Sequence, residues 1–311
     1  MSLELPKRLR KVAFGGVGVG ALLLLSGCSK ADQETWKRVA MPAPRSVEAH
    51  DILHLWQNAW IVAMITGVIV WGLIFYACIR FRRRSEDEIP VQTRYNLPIE
   101  VFYTLAPVVM VVVFFFFTVK TQDNVDHDFK NPDVTITVLG QQWSWTFNYN
   151  LRTNPNYDQS LGDASQGNHV KQFIPAATTL GNDAVVHDVG TTADRPTLWL
   201  PVGKKVEFHL YSPDVIHSFW STDFLFKKDV VPGRDNTFGI IPEVTGTFEG
   251  RCAELCGVYH SRMLFNVKVV TVAQFEEHLR ELSQNPASAG AATGSSEDQV
   301  QPGLETTGGN Q

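Results

Sequence analysis

Two uncharged apolar stretches dominate the first 120 residues, and the rest of the chain alternates short apolar and polar runs. Residues 59–79 and 101–119 contain no Asp, Glu, Lys or Arg. An apolar helix of about 20 residues is long enough to cross a bilayer. The pattern therefore predicts a transmembrane helical hairpin within residues 55–120, followed by a soluble domain.

Charges and aromatic residues at the ends of these stretches indicate their direction. Arginines follow the first stretch at once, at Arg80, Arg82, Arg83 and Arg84. Basic residues mark the cytoplasmic end of a span, and Trp56 and Trp60 suit the opposite interface. We expect 80–98 to be a cytoplasmic loop, with the soluble domain on the extracytoplasmic side of a bacterial plasma membrane.

The first 27 residues are typical of an export signal. A basic head precedes an apolar run at 12–25, which is too short for a comfortable span. The run ends Leu-Ser-Gly-Cys, which resembles the box at which bacterial lipoproteins are cleaved and lipidated. We predict a signal peptide at 1–27, a lipid-bearing Cys28 and an extracytoplasmic segment at 28–54. The alternative is an uncleaved anchor.

Residues 121–282 have the pattern of a β-rich domain. Residues 134–139 alternate apolar and polar side chains, as do Val206, Phe208 and Leu210. Further strands are predicted at 237–241, 246–251 and 263–270, and short strands with Gly/Pro turns favour a sandwich or Greek-key barrel. Thr271 and Gln274 form a capping-box pattern for a helix that ends near residue 282.

Composition adds two constraints. The 311 residues are 44% hydrophobic and 19% charged, with a formal net charge of −5. This mildly acidic balance does not favour nucleic acid binding. Residues 283–311 are rich in Ala, Gly, Ser and Thr, which predicts a disordered tail.

Four potential metal ligands lie close together late in the chain. Cys252, Cys256, His260 and Met263 are spaced by four, four and three residues, and this stretch holds every Cys and Met after residue 120. Thiolate, imidazole and thioether ligands favour copper over magnesium or calcium. A disulfide or a structural zinc site is the alternative. His217 would by itself be read as a satisfied strand histidine.

These residues also carry a resemblance to a known family. The motif C-A-E-L-C-G-x-x-H-x-x-M, preceded by S-P-D-V-I-H-S-F, resembles the binuclear copper (CuA) signature of cytochrome c oxidase subunit 2. The resemblance implies a cupredoxin-like Greek-key β-barrel after the helical hairpin. It also implies two copper ions with six ligands, namely bridging Cys252 and Cys256, His217, His260, Met263 and the backbone carbonyl of Glu254.

Three further segments resemble motifs of the same family. G-Q-Q-W-S-W implies that Trp143 receives the electron from cytochrome c, although Gln141 and Ser144 depart from the usual His and Tyr. E-V-F-Y-T-L-A-P implies that Glu100 lies at a proton-channel entrance of subunit 1, with Tyr103 where the family has Trp. The segment K-D-V-V-P-G-R and the Glu254 carboxylate imply a magnesium ion shared with subunit 1.

The resemblance implies a subunit that passes electrons from cytochrome c to haem in subunit 1. Oxygen reduction and proton pumping would occur in subunit 1, so this chain alone would be inactive. The expected partners are subunit 1, other oxidase subunits, a cytochrome c donor and membrane lipid. A C-x-x-C-H motif is absent from the sequence, so we expect no haem in this chain.

Two other functions remain open at this point. A membrane-anchored copper carrier would also use two Cys and a distant His, whereas a quinol oxidase subunit would lack the copper ligands. Residues 150–196 are rich in Asn, Asp, Gly and Thr and form a long insertion. We expect this insertion to help dock the donor or a neighbouring subunit, with His169 and His187 exposed.

Overall fold

The structure is a computed structural model that describes residues 29–85, 88–89, 92–149, 186–191 and 193–288. The chain divides into two compact units, Met1–Ala43 and Pro44–Gln311. The first contains the short helix α1 (Lys30–Lys37), which Ser29 and Asp32 cap reciprocally. The predicted signal peptide and Cys28 lie outside the described residues.

Two long apolar helices open the second unit. They are α2 (Val47–Arg80) and α3 (Leu97–Val125), and both are long and apolar enough to cross a membrane. Their apolar side chains are exposed along most of their length. At 34 residues, α2 would be about 50 Å long, which exceeds the roughly 30 Å hydrocarbon core.

The helices extend further than the hairpin predicted at 55–120. Residues 47–54, predicted as part of a polar surface segment, form the first turns of α2, and α3 continues five residues past 120. Glu48, Ala49 and Leu53 in these first turns are buried. The extra turns therefore belong to the packing of the β-domain.

Hydrogen bonds fasten the outer ends of both helices to the β-domain. The backbone N–H of Val47 donates to the carbonyl of Ile241 at 3.0 Å, and the N–H of Ile241 donates to the Glu48 carboxylate at 3.0 Å. Beyond α3, the N–H of Gly239 donates to the His127 carbonyl at 2.9 Å. We call these contacts the helix–domain joint.

In the described residues, ten strands form two five-stranded sheets. The strands are β1 (Val134–Gln141), β2 (Ser144–Tyr149), β3 (Val186–Val189), β4 (Thr197–Pro201), β5 (Val206–Tyr211), β6 (His217–Ser221), β7 (Phe226–Val230), β8 (Asn236–Ile240), β9 (Gly246–Cys252) and β10 (Leu264–Val270). One sheet has the order β3-β2-β1-β5-β8, and the other β4-β10-β9-β6-β7. The pairs β1–β5 and β4–β10 are parallel, and the other pairs are antiparallel.

A dense aromatic core lies between the sheets. Trp145, Phe147, Phe219 and Phe265 are almost completely buried, and the Phe219 and Phe265 rings stack at 4.9 Å. Burying each such side chain contributes roughly 1.5–3 kcal/mol. Cys252, Cys256 and Met263 belong to the same buried cluster, so the predicted ligands sit at one edge of the core.

The predicted strands correspond to β1, β5, β8, β9 and β10 within one or two residues. The predicted capping box is also confirmed, since Thr271 and Gln274 cap α4 (Val272–Gln284) reciprocally. The end of the predicted insertion differs, because residues 186–189 form β3 and pair with β2. Residues 151–185 and most of the predicted tail lie outside the described residues.

Candidate metal centre

Three structural elements bring the predicted ligands together. His217 begins β6, Cys252 ends β9, and Met263 immediately precedes β10. The N–H of Cys252 donates to the Met263 carbonyl at 3.0 Å and thereby closes the base of the loop between β9 and β10. We call residues 253–262 the ligand loop.

Local backbone geometry folds the ligand loop back on itself. Gly257 has a φ of +124°, a conformation that L side chains rarely adopt. A 3-10 turn at His260–Arg262 follows, and the N–H of Met263 donates to the His260 carbonyl at 3.2 Å. This turn returns Met263 to the core beside the two cysteines.

The donor atoms fall into two groups around the cysteine pair. Cys252 Sγ lies 3.9 Å from His217 Nδ1 and 3.2 Å from the Glu254 carbonyl oxygen. Cys256 Sγ lies 3.6 Å from His260 Nδ1 and 3.8 Å from Met263 Sδ. The two Sγ atoms are 3.8 Å apart, so the structure brings together all six predicted copper ligands.

These distances fit bound metal. First-row ions such as zinc bind sulfur at about 2.3 Å and imidazole nitrogen at about 2.0 Å, so one ion fits between donor atoms at these separations. His217 Nδ1 and both Sγ atoms lie within 4.8 Å of one another, and all three residues are buried. Soft sulfur donors with imidazole make copper the metal best suited to this site.

The protonation of the two thiols is coupled. Hydrogen bonding to Cys256, assisted by His217, lowers the pKa of Cys252 even though burial opposes ionisation. The same contact and burial raise the pKa of Cys256. The metal-free pair therefore shares a proton, which a metal would displace because thiolate is the binding form.

Asp214 holds the second nitrogen of His217. Its Oδ1 lies 2.9 Å from His217 Nε2, and its Oδ2 accepts from the N–H of Gln142 at 2.6 Å. Burial would raise the pKa of Asp214, but these hydrogen bonds lower it. Burial would lower the pKa of His217, but hydrogen bonds to Asp214 and Cys252 raise it. Asp214 thus directs Nδ1 toward the cysteines.

The His217 ring packs closely against the backbone of β1 at Gly140. A Cβ added at Gly140 would lie 3.3 Å from the His217 ring and 3.0 Å from the Trp145 ring. A larger side chain at residue 140 would therefore press on both rings. The absence of a side chain at this one position in β1 lets the imidazole reach the cysteines.

Trp143 lies in the turn between β1 and β2, partly exposed and next to the ligand loop. Its Nε1–H donates to the carbonyl of Cys256 at 3.1 Å, and Gln142 Nε2 donates to the same oxygen at 2.7 Å. Trp145, by contrast, is completely buried in the core. Trp143 is therefore joined to a predicted ligand residue by a single hydrogen bond.

Other predicted site residues lie elsewhere. The Glu254 side chain is exposed, although its carbonyl oxygen faces Cys252. Glu100 lies in the first turn of α3, where its carboxylate accepts from the N–H of Asn96 at 2.9 Å. Lys228, in the segment expected to face subunit 1, contacts Asp126 after α3 at 2.5 Å.

Asp214 and Gln142 contact the site but were not predicted from the sequence to have a role there. Both stand inside the quoted motifs, and their placement next to His and Trp was the only available signal. Their contacts join segments 72 and 114 residues apart in the chain. Such contacts cannot be read from spacing along the sequence.

Together, the fold and the site define a membrane-anchored β-domain with a metal centre built from thiolate, imidazole and thioether groups. Residues 134–270 match the family described as cytochrome c oxidase subunit II, periplasmic domain, and residues 34–121 match its transmembrane domain.

Proteins with similar sequences agree. A probable cytochrome c oxidase subunit 2 of Streptomyces avermitilis is 46% identical over 297 residues, covering 90% of this chain and 89% of that protein. Cytochrome c oxidase subunit 2 of Corynebacterium glutamicum is 36% identical over 320 residues, covering 91% and 88%. The chain belongs to the cytochrome c oxidase subunit 2 family and is a subunit of a haem–copper oxidase complex.

Among solved structures, the periplasmic domain of subunit II of cytochrome oxidase from Bradyrhizobium japonicum is similar to this chain. It is 24% identical, with a TM-score of 0.36, and the match covers 50% of this chain and 96% of that chain. The family membership confirms the predicted fold class of two apolar helices followed by a cupredoxin-like β-domain.

Proposed function

We propose that this chain accepts electrons from a cytochrome c donor at a binuclear copper centre and passes them to haem in subunit 1. The observation that carries the proposal is the arrangement of six donor atoms in two groups around one cysteine pair. His217 and the Glu254 carbonyl accompany Cys252, whereas His260 and Met263 accompany Cys256. One imidazole and one weaker donor are thus available to each of two coppers that would share both thiolates.

Two coppers held in this way would supply a site that takes up and releases one electron. The protein keeps the donor atoms in place and excludes water from most of them. His217 and Met263 are completely buried, and Cys252 and Cys256 are at most 5% exposed. Restricted movement of the ligands suits electron transfer, because little rearrangement then accompanies the change in charge.

Electron input at Trp143 is supported by its position. The indole is partly exposed, and its Nε1–H donates to the carbonyl of Cys256. A donor that contacts the exposed part of the ring would therefore be separated from the ligand residue Cys256 by Trp143 alone. We propose that the electron enters through Trp143 and leaves toward subunit 1 through His260 or its loop.

The remaining roles complete the assembly. We propose that the Glu254 carboxylate binds magnesium shared with subunit 1, and its exposure supports this role. Glu100 would stand at the entrance of a proton channel in subunit 1, where oxygen reduction and proton pumping would take place. Cys28 would carry lipid after removal of residues 1–27, with the β-domain, residues 121–282, outside the plasma membrane.

A membrane-anchored copper carrier is not favoured. A carrier must release its metal, whereas the buried set of six donor atoms favours retention. Membership of the subunit 2 family also supports the oxidase role over the carrier.

The full-length chain, purified in detergent and loaded with copper, tests the proposal. We expect two tightly retained coppers per chain and an electron paramagnetic resonance spectrum in which one unpaired electron is shared by both nuclei. Cys78→Ser, in the membrane hairpin, is the matched control and should leave both results unchanged. A single copper with a one-nucleus spectrum, or rapid loss to a chelator, would overturn the binuclear proposal.

A further inference from the structure

The ligand loop makes three contacts with the indole of Trp143. The first is the hydrogen bond from Nε1 to the carbonyl of Cys256, at 3.1 Å. The second is the backbone of Gly257, where an added Cβ would lie 3.0 Å from the indole Nε1 and Cζ2. The third is the ring of Tyr259, whose centroid is 5.0 Å from that of Trp143.

The Tyr259 contact has a defined geometry. The two rings meet at 88°, in the edge-to-face arrangement that aromatic pairs prefer. The guanidinium of Arg262 lies 5.4 Å from the centre of the Tyr259 ring, within the range of a cation–π contact. Tyr259 is therefore braced by Arg262 while it contacts Trp143.

These contact residues lie in the same short segment as two predicted metal ligands. Cys256 provides both a thiolate and the carbonyl that Trp143 contacts, and Tyr259 directly precedes His260. The orientation of the indole is consequently set by the segment that also places the ligands.

We propose that Tyr259 is a positioning residue that holds the Trp143 indole in the orientation required for electron input. This inference rests on the proposed function, because it assumes that the donor's electron passes through Trp143. Tyr259 need not carry the electron itself. It limits the rotation of the indole away from the hydrogen bond with Cys256, while about a third of its own surface stays exposed.

The proposal predicts a selective kinetic defect in the assembled oxidase. An edge-to-face aromatic pair shifts an orientation equilibrium by roughly 2- to 10-fold. Tyr259→Ala should therefore lower the rate of copper reduction at saturating cytochrome c by about that factor. KM for the donor should change little, and the copper content and paramagnetic resonance spectrum should match the parent. Tyr259→Phe retains the ring and should restore the rate.

Val258→Ala is the matched control, since Val258 is the neighbouring residue and is 84% exposed. It removes apolar surface from the same loop without removing an aromatic ring. A rise in KM in both variants, with no change in the saturated rate, would show that Tyr259 acts by donor docking and would overturn the positioning role. An altered copper spectrum in Tyr259→Ala and Tyr259→Phe alike would also overturn it.

A double-mutant cycle separates this inference from the function on which it rests. Trp143→Phe should slow copper reduction by cytochrome c, and adding Tyr259→Ala should then have no further effect. If Trp143→Phe leaves the rate unchanged, electron input at Trp143 is wrong and the inference falls with it. If Trp143→Phe slows the reaction and Tyr259→Ala does not, only the positioning role of Tyr259 is wrong.

Discussion

The two halves of the metal centre are held in different ways. His217, Cys252 and Met263 form a strand-held half, because each begins, ends or directly precedes a strand of the same sheet. Glu254, Cys256 and His260 form a loop-held half, carried by residues between β9 and β10. The strand-held side chains are at most 5% exposed. In the loop-held half Cys256 is equally buried, whereas Glu254 is exposed and His260 is half-buried.

This difference separates two tasks. The hydrophobic core fixes the strand-held ligands, so their positions depend on the folding of the whole β-domain. The loop-held ligands depend on a few local contacts, including the hydrogen bonds from Gln142 and Trp143 to the carbonyl of Cys256. The two sheets and their core, which we call the framework, thus support the centre from inside, while the loop carries its exposed side chains.

The strongest test removes a shared ligand from the strand-held half. Cys252→Ser should abolish the copper pair, because one bridging thiolate is lost to both ions. The loss should exceed the roughly 10–100-fold decrease in affinity that removal of an outer hydrogen-bond partner causes. Copper analysis and paramagnetic resonance of the full chain measure the result, and retention of two coppers with a shared electron would contradict the ligand assignment.

The next test weakens the framework without touching a ligand. Phe265 is completely buried and contacts the rings of Trp145, Phe147 and Phe219. Phe265→Ala should cost about 3–5 kcal/mol of folding free energy. The temperature at which the purified oxidase loses its copper absorption should fall by roughly 10 °C.

Val258→Ala provides the loop-side control for this change, because surface substitutions of this kind usually stay within about 0.5 kcal/mol. Equal effects of Phe265→Ala and Val258→Ala on the transition temperature would show that the core contributes no more to stability than the loop does.

Acid should also act on the framework. His278 on α4 stacks on Trp199 of β4 at 4.1 Å, and burial, assisted by Lys268, lowers the pKa of His278 to about 4. The unfolded chain, with a His pKa of about 6.5, binds the proton more readily. This contribution to stability is therefore intact above pH 6.5 and is lost as the pH falls from 6.5 toward 4.

Between pH 7.5 and 5, His278 should cost the β-domain about 2 kcal/mol of stability. Thermal transitions of the parent and of His278→Phe at both pH values measure this contribution. The variant keeps an aromatic ring against Trp199 but does not titrate, so its transition should depend less on pH. An identical pH dependence in both proteins would rule out this role for His278.

A smaller effect on copper binding is expected from Asp214, which contacts both His217 and the turn that carries Trp143. Asp214→Asn removes the negative charge that holds His217 Nε2 and accepts from the N–H of Gln142. Copper affinity should fall about 10- to 100-fold. Asp229→Asn, at an exposed position of β7, is the control, and equal affinities for the two variants would show that Asp214 does not orient His217.

The smallest expected effect lies outside both halves. Thr271 caps α4 through a reciprocal pair of hydrogen bonds with Gln274. Thr271→Ala should destabilise the β-domain by about 1 kcal/mol while leaving copper affinity unchanged. Thermal melting and copper titration of the same preparation measure the two quantities. A change in copper affinity would contradict the prediction that α4 does not influence the metal centre.

The sequence could predict the features that depend on spacing or alternation. The ligand spacing in the loop and the alternating strands β5 and β10 are of this kind. The sequence of β2, S-W-T-F-N-Y, also alternates polar and apolar residues, but this strand was not among those predicted, and all six of its residues are buried. The strand β3 lies near the end of the predicted insertion and is defined by its pairing with β2.

The same limit applies inside the site. Cys252 and Cys256 were predictable because they lie four residues apart. The contacts of Trp143 with Tyr259, and of Asp214 with Gln142, instead depend on how separate loops meet above the core. Packing and backbone hydrogen bonding determine such meetings, and neither leaves a periodic pattern in the sequence.

The helix–domain joint has a mechanical consequence. Because α2 runs without interruption from its buried first turns into the apolar hairpin, we expect a change in its tilt to be passed to the β-domain. A bilayer thinner than the hydrophobic length of a helix makes that helix tilt. Tilting of α2 would therefore move the metal centre relative to the membrane surface. The height of the centre above the bilayer would then depend on lipid thickness.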